Sequence, residues 1–323
     1  MRPLQAAAAA LILSGCGYVG EPMYPLLNIP EPVTDLAAVE HGRAIVYHFT
    51  MPALTTEGKQ AKIGRIEIRA GEAPPGEFNR DAWLSKAIEL AATPDERGEV
   101  RSQFPANPWL GKEIILGVRV YGSNGRAGEW SLVPITVVAP LAKPDAVSAM
   151  AVKEGVRVSW RSAARQHRVF RRVGDEMDFA AAATVEGSEW LDAGAEFGKL
   201  YRYRIQAVQK TGNGDAESEI SETREITPAD TFPPAVPSGL AAVTGTKSIE
   251  LVWERNTEAD LAGYRLYRAS AGGKLEKIAD IQEVPSYSDP KVESGKSYRY
   301  AVSAIDRIGN ESPQSEPVDI SAP

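Results

Sequence analysis

Apolar residues alternate with polar or small ones in three separate blocks of the chain. Ile45, Tyr47 and Phe49 form the first block, Val156, Val158 and Trp160 the second, and Ile249, Leu251 and Trp253 the third. A period of two predicts a strand with one buried face, packed against a second sheet, with its last aromatic filling the space between the layers. A further strand follows each block, as Arg65-Ile-Glu-Ile, Arg168-Val-Phe-Arg and Arg265-Leu-Tyr-Arg. Then one phrase returns three times, at intervals of 87 and 97 residues: Gly111-Lys-Glu-Ile-Ile-Leu-Gly-Val, Gly198-Lys-Leu-Tyr-Arg-Tyr-Arg-Ile and Gly295-Lys-Ser-Tyr-Arg-Tyr-Ala-Val. Its inward positions alternate as well: Tyr201, Tyr203, Ile205 and Ala207 in one copy, Tyr298, Tyr300, Val302 and Ala304 in the next. A phrase repeated at this interval marks a repeated structural unit.

Proline clusters at Pro140-Leu-Ala-Lys-Pro144 and across Pro228–Pro237 interrupt the alternation. Proline cannot donate to a ladder, so these are domain boundaries. They divide the chain into units at 33–140, 145–227 and 235–321, each about the size of one β-sandwich. The first unit departs from the other two. Tyr47 replaces the early tryptophan, and Tyr47 to Ile114 spans 67 residues, against 41 from Trp160 to Tyr201 and 45 from Trp253 to Tyr298. The excess falls mainly in residues 71–108. There Asn79 is placed to cap a helix carrying Trp83, Leu84, Ala87, Ile88 and Ala91 on one face and stopped by Pro94. The expectation is an all-β chain of three tandem sandwiches, the first with a helical insertion.

An early Trp and a later Gly-x-x-Tyr strand opening, together with Asp260-Leu-Ala-Gly-Tyr-Arg-Leu-Tyr-Arg268, resemble fibronectin type III domains, the last stretch bacterial members in particular. The resemblance is good over 145–227 and 235–321. It implies seven strands in two antiparallel sheets, Trp160 and Trp253 in the core, and tyrosine corners at Tyr201 and Tyr298, whose hydroxyls bond the backbone upstream. Ile114 stands at the corner position of the first unit and has no hydroxyl to offer.

Arg2, the short apolar run Ala6–Leu13 and the tetrapeptide Leu13-Ser-Gly-Cys16 form an export signal too short to span a bilayer. The tetrapeptide resembles a bacterial lipobox, which implies removal of residues 1–15 and lipidation of Cys16, the only cysteine in the chain. More than one acyl chain makes a lasting anchor. Residues 16–32, with Pro22, Pro25, Pro30 and Pro32, are then a semi-rigid tether. Gly17 follows the cysteine where an aspartate would retain a lipoprotein at the inner membrane. In a source with two membranes, the resemblance therefore implies the outer one.

A charged fraction of 24% and a hydrophobic fraction of 43% are those of a globular protein. The formal net charge of −7, with no dense basic patch, argues against a nucleic-acid partner. Neither a metal nor a cofactor is expected. His41, His48 and His167 share no ligand spacing, and His48 and His167 are both expected at the solvated surface. Asp215, Glu217 and Glu219 suit a polar turn. With no nucleophile elbow, phosphate loop or zinc-binding helix in the sequence, a non-catalytic role is expected. Trp83, Trp109 and Trp130 all belong to the first unit, and two readings stay open: exposed rings for a sugar or protein partner, or core packing. The expected function is binding or scaffolding, chiefly between proteins, by a lipid-anchored envelope protein whose partner is the membrane through its lipid and an envelope protein or polysaccharide. The alternatives are a carbohydrate-binding surface protein, or an accessory subunit of an envelope enzyme or secretion complex.

Overall fold

The computed structural model describes residues 27–282 and 284–323. The expected export signal, the expected lipidation site Cys16 and most of the expected tether lie outside them. The chain divides into two compact units, one running to Lys143 and taking in Ala163–Gln166 and Gln206–Glu219, the other made of Pro144–Ser162, His167–Ile205 and Ile220–Pro323.

In the first unit, β1 (Ala37–His41), β2 (Ala44–Thr50) and β5 (Glu99–Pro105) form one antiparallel layer. The facing layer has the order β4-β3-β6-β7, built from β3 (Ile63–Glu72), β4 (Ile88–Leu90), β6 (Glu113–Gly122) and β7 (Ser131–Thr136). Ile45, Tyr47 and Phe49 of β2 point inward and meet Ile114, Leu116, Val118 and Val120 of β6 in one core. His48 falls on the opposite phase and is exposed. The hairpin end carrying β14 (Gly214–Glu217) also belongs to this unit, and β14 runs parallel to β1 with Glu40 opposite Ala216.

The second unit contains the remaining parts of the second sandwich and all of the third. In the second, β8 (Asp145–Val152), β9 (Gly155–Arg161) and β12 (Glu189–Asp192) make one layer. Facing it are β10 (Gln166–Val173), β11 (Ala180–Glu186), β13 (Tyr201–Thr211) and the short β15 (Arg224–Ile226). In the third, β16 (Ala241–Thr244), β17 (Ile249–Val252) and β20 (Ser286–Asp289) face the order β19-β18-β21-β22, made of β18 (Leu261–Ser270), β19 (Glu276–Ile281), β21 (Ser297–Asp306) and β22 (Val318–Ser321). Trp160 and Trp253 are buried in their respective cores. The fold is a tandem of fibronectin type III-like sandwiches.

Three local expectations need correction. The helix is a single short one, α1 (Arg80–Leu84), and the chain then extends into β4, where Ile88 pairs with Ala70 and is exposed. Asn79 does cap α1, accepting from the Ala82 N–H at 2.9 Å. The helical spacing to Ala91 loses because Ile88, Glu89 and Leu90 gain a ladder with β3. Residues 71–108 therefore include two ordinary sandwich strands, β4 and β5, and the added chain lies mainly in the β3–β4 connection, with the β2–β3 and β4–β5 connections lengthened as well. Register corrects a second point. A bulge between Ile63 and Arg65 matches one between Leu261 and Gly263, so Glu67, not Arg65, occupies the place of Arg265. Third, His167 is 0% exposed. Its phase on β10 is that of Val169, and its ring meets Trp160 edge-on at 5.2 Å.

Candidate functional site

The two later sandwiches share an inward-facing polar trio. Arg171 donates to Asp192 at 2.8 Å, and the Tyr203 hydroxyl donates to the same carboxylate at 2.8 Å. Arg268 and Tyr300 bond Asp289 in the same way, each at 2.8 Å. Burial and the adjacent carboxylate push both tyrosine hydroxyls well above their ordinary pKa. The corner tyrosines lie alongside. Tyr201 accepts from the Glu196 N–H at 2.8 Å, and Tyr298 from the Glu293 N–H at 3.0 Å. All of these groups are spent on holding the sandwich together.

The first sandwich lacks the trio and has Leu116 at the position of Tyr203. Its distinguishing polar chemistry lies instead on the outer face of the β4-β3-β6-β7 sheet. The side chain of Trp83 descends from α1 into a slot floored by two glycines. A Cβ on Gly117 would sit 2.6 Å from Trp83 Cη2, and one on Gly71 would sit 3.2 Å from Trp83 Nε1. That nitrogen leans on the Gly71 carbonyl at 3.4 Å, and Trp83 is 1% exposed. Trp130 meets it edge-on at 5.7 Å.

From Trp130 a row of cations and rings continues along the sheet. The Arg119 guanidinium lies 4.6 Å from the Trp130 ring and 5.1 Å from that of Tyr121, with Arg65 on Tyr121 at 3.6 Å. These separations are within the reach of cation–π attraction. Glu67 anchors the row, accepting from Arg69 at 3.1 Å, Arg119 at 3.0 Å and the Tyr121 hydroxyl at 2.7 Å. Burial alone would raise the Glu67 carboxyl, but the bonds from Tyr121, Arg119 and Arg69 overcome it and bring the pKa down to about 2.

Of the three tryptophans singled out by sequence, two come together and one does not. Trp83 and Trp130 share the outer face, whereas Trp109 ends a 3₁₀ turn and packs edge-on against Phe104 at 5.4 Å, beside the core. Trp83 has no free ring face, and Trp130 is half-buried. The Arg–Tyr–Glu row escaped sequence reading because its members are far apart in the chain, Glu67 and Arg119 being 52 residues apart. At the edge of the same sheet, Met51, Ile63, Arg65, Ile66, Ala92 and Pro94 line an open groove of about 560 Å³, with Asp95 and Glu96 on its rim.

Elsewhere the acidic groups serve structure. Asp215 pairs with Lys210 at 2.8 Å, and Glu217 accepts from Gln206 at 3.0 Å. In the second unit, oxygens of Asp230, Asp260 and Asp306 lie within 4.8 Å of one another. Asp306 already receives the N–H groups of Ile308, Gly309 and Asn310 and the Asn310 side chain, which fixes the closing turn. Among the described residues, no helix is long and apolar enough to cross a membrane.

No protein-family model matches the chain. It is similar to an amylopullulanase of Thermoanaerobacterium saccharolyticum, 34% identical over 41% of this chain and 10% of the enzyme. It is also similar to exoglucanase B of Cellulomonas fimi, 32% identical over 41% of this chain and 12% of the enzyme. The chain thus spans about a tenth of the length of the curated relatives it matches. Among solved structures, the chicken CNTN1 FN1–FN3 domains align over 91% of this chain and 99% of their own, at 18% identity and a TM-score of 0.30.

Proposed function

We propose that this chain is a non-catalytic binding or scaffold protein of the bacterial cell envelope, anchored by lipid at Cys16, with the first sandwich as its recognition element and an envelope protein as partner. The observation that carries this reading is the asymmetry between the sandwiches. The second and third bury the same Arg–Asp–Tyr trio and tyrosine corner, whereas the first replaces them with apolar packing and places an added loop, a fixed charged face and an open groove on one sheet. Elements added to a rigid scaffold are common seats of recognition. The likeness to minor regions of large enzymes supports a non-catalytic role, since a tenth of such an enzyme is the share of an accessory region.

A carbohydrate ligand is the second reading, favoured by the names of those relatives. It needs a ring face open to a sugar, and Trp130 is the member of the outer-face pair that retains partial exposure.

The test combines location with cross-linking on the full chain. The wild type should partition with membranes and yield an acylated amino terminus, and Cys16→Ser should release it from the membrane fraction. A photo-cross-linking residue placed at Arg65 should trap an envelope protein, whereas one at Arg299 on the third sandwich should not. An unacylated wild type, or trapping through Arg299 alone, overturns the reading.

A further inference from the structure

The edge of β3 that meets β4 is used along only part of its length. Pairing covers Ile68 with Leu90, Arg69 with Glu89 and Ala70 with Ile88, although β3 begins at Ile63. The third sandwich has a strand over the corresponding stretch. By register, Ile66 and Glu67 occupy the places of Tyr264 and Arg265, and those two pair with Ile281 and Asp280 of β19. In the first sandwich the chain leaves the ladder at Leu90, and the segment from Ala92 to Gly98 stands off from Ile63–Ile66 across the 560 Å³ groove.

The Ala73 N–H bonds the Glu113 carbonyl, so alternate residues of β3, Glu67 among them, turn their backbone groups to β6, whereas Ile66, like Ile68 and Ala70, turns its own toward the β4 side; among the described residues Ile66 has no backbone partner there. An unpaired edge is a template for another strand, and proteins usually guard such edges with charged side chains, bulges or a covering loop. Here the bulge between Ile63 and Arg65 stops short of Ile66, and the Arg65 guanidinium lies on the Tyr121 ring at 3.6 Å. The covering loop is the one that stands off.

We propose that this edge receives an extended segment of a partner polypeptide, which adds as a strand beside β3 and continues the line of β4. Main-chain hydrogen bonds supply affinity in such an arrangement and alternate side chains supply specificity. The groove takes apolar side chains at every second position of the incoming strand, against Met51, Ile66 and Ala92, and the rim at Glu96 favours a basic residue beside them. A peptide fits better than a sugar because the unmet backbone donor and acceptor of Ile66 continue the line of those that Ile68 and Ala70 give to β4. This rests on the reading of the first sandwich as the recognition element.

The probe is a phage-displayed library of random seven-residue peptides, selected on the full chain, with the best binder synthesised. It should carry alternating apolar residues and bind with a micromolar Kd. It should also slow amide exchange at Ile66 at least tenfold. Pro94→Trp, at an exposed position, fills the groove and should weaken binding at least tenfold. Glu96→Lys should weaken a basic peptide several-fold without touching the core. Peptides indifferent to both variants, or protection confined to other strands, overturn the proposal. So does binding of a linear α-glucan, but of no peptide, that Pro94→Trp abolishes. If Pro94→Trp leaves envelope cross-linking through Arg65 intact, the strand-addition site falls while the recognition role of the first sandwich stands.

Discussion

The Tyr203 hydroxyl donates to the Asp192 carboxylate at 2.8 Å, and the pair is nearly sealed from water, with Asp192 2% exposed. Asp192 also receives Arg171 and the Gly194 N–H, so one side chain ties three strands and the turn after β12 together. Burying a carboxylate is costly unless its oxygens are met, and here they are. Asp192→Asn leaves Arg171 and Tyr203 mismatched, a loss of roughly 3 kcal/mol, at the low end of the buried-pair range because Arg171 keeps part of its surface in water. Tyr203→Phe should cost about 1–3 kcal/mol. Native-state hydrogen exchange at β12 and β13 amides measures both, and unchanged protection there would show the trio to be dispensable. Amides of β2 and β6 in the first sandwich should not respond.

The corners are separable from the trio. Tyr201→Phe removes the acceptor for the Glu196 N–H, and Tyr298→Phe does the same for Glu293, at about 1–2 kcal/mol each. The local reporter is the N–H itself. Its exchange should quicken in the variant by more than that of amides in the neighbouring strands, and equal acceleration everywhere would argue for a global packing defect instead.

Glu67 gives the first sandwich an acid limit. Its pKa falls from 4.5 to about 2 on folding, so the folded state holds fewer protons than the unfolded one in that window. The stabilisation is complete above pH 4.5 and drains away as pH falls toward 2. Glu67→Gln should lower stability at pH 7 by about 1–3 kcal/mol and flatten the acid dependence of β3 and β6 exchange. A variant as acid-sensitive as the wild type would assign that limit to other groups.

His167 gives the second sandwich an acid limit of its own, beginning at higher pH. Burial pushes its pKa below 6.5, with the Gly187 backbone offsetting part of the effect, so the unfolded chain takes up a proton that the folded one resists. Stability of the second sandwich is therefore unaffected above pH 6.5 and falls as pH drops below it. His167→Phe keeps the edge contact with Trp160 and removes the titration. Its β10 amides should be equally protected at pH 7 and pH 5, where those of the wild type lose protection.

Strands with one buried face were legible because their period is two. Ile45–Phe49, Val156–Trp160 and the Tyr201 and Tyr298 strands all place the expected side chains inward. The length of α1 was misread because Ile88 and Leu90 satisfy a helical stripe and a strand alternation equally well. Only the β3 ladder decides between them. His167 was misplaced because a histidine carries no phase information of its own, and the phase comes from Val169 beyond it. The buried trio did leave a trace in the sequence: Arg171 to Asp192 and Arg268 to Asp289 are both 21 residues apart, and Asp192 to Tyr203 and Asp289 to Tyr300 are both 11. The outer-face row left none, since it depends on how far apart in sequence two strands can lie and still be neighbours.

The slot beneath Trp83 restricts how this sandwich can be exchanged with its neighbours. Gly117 has Arg204 at the matching position of the second sandwich and Ala301 in the third, counting from Tyr201 and Tyr298. Either side chain would occupy space that Trp83 fills, since even a methyl group at Gly117 would lie 2.6 Å from the indole. The β3–β4 loop therefore needs the glycine in β6, and a chimaera that transfers the loop must carry the glycine with it.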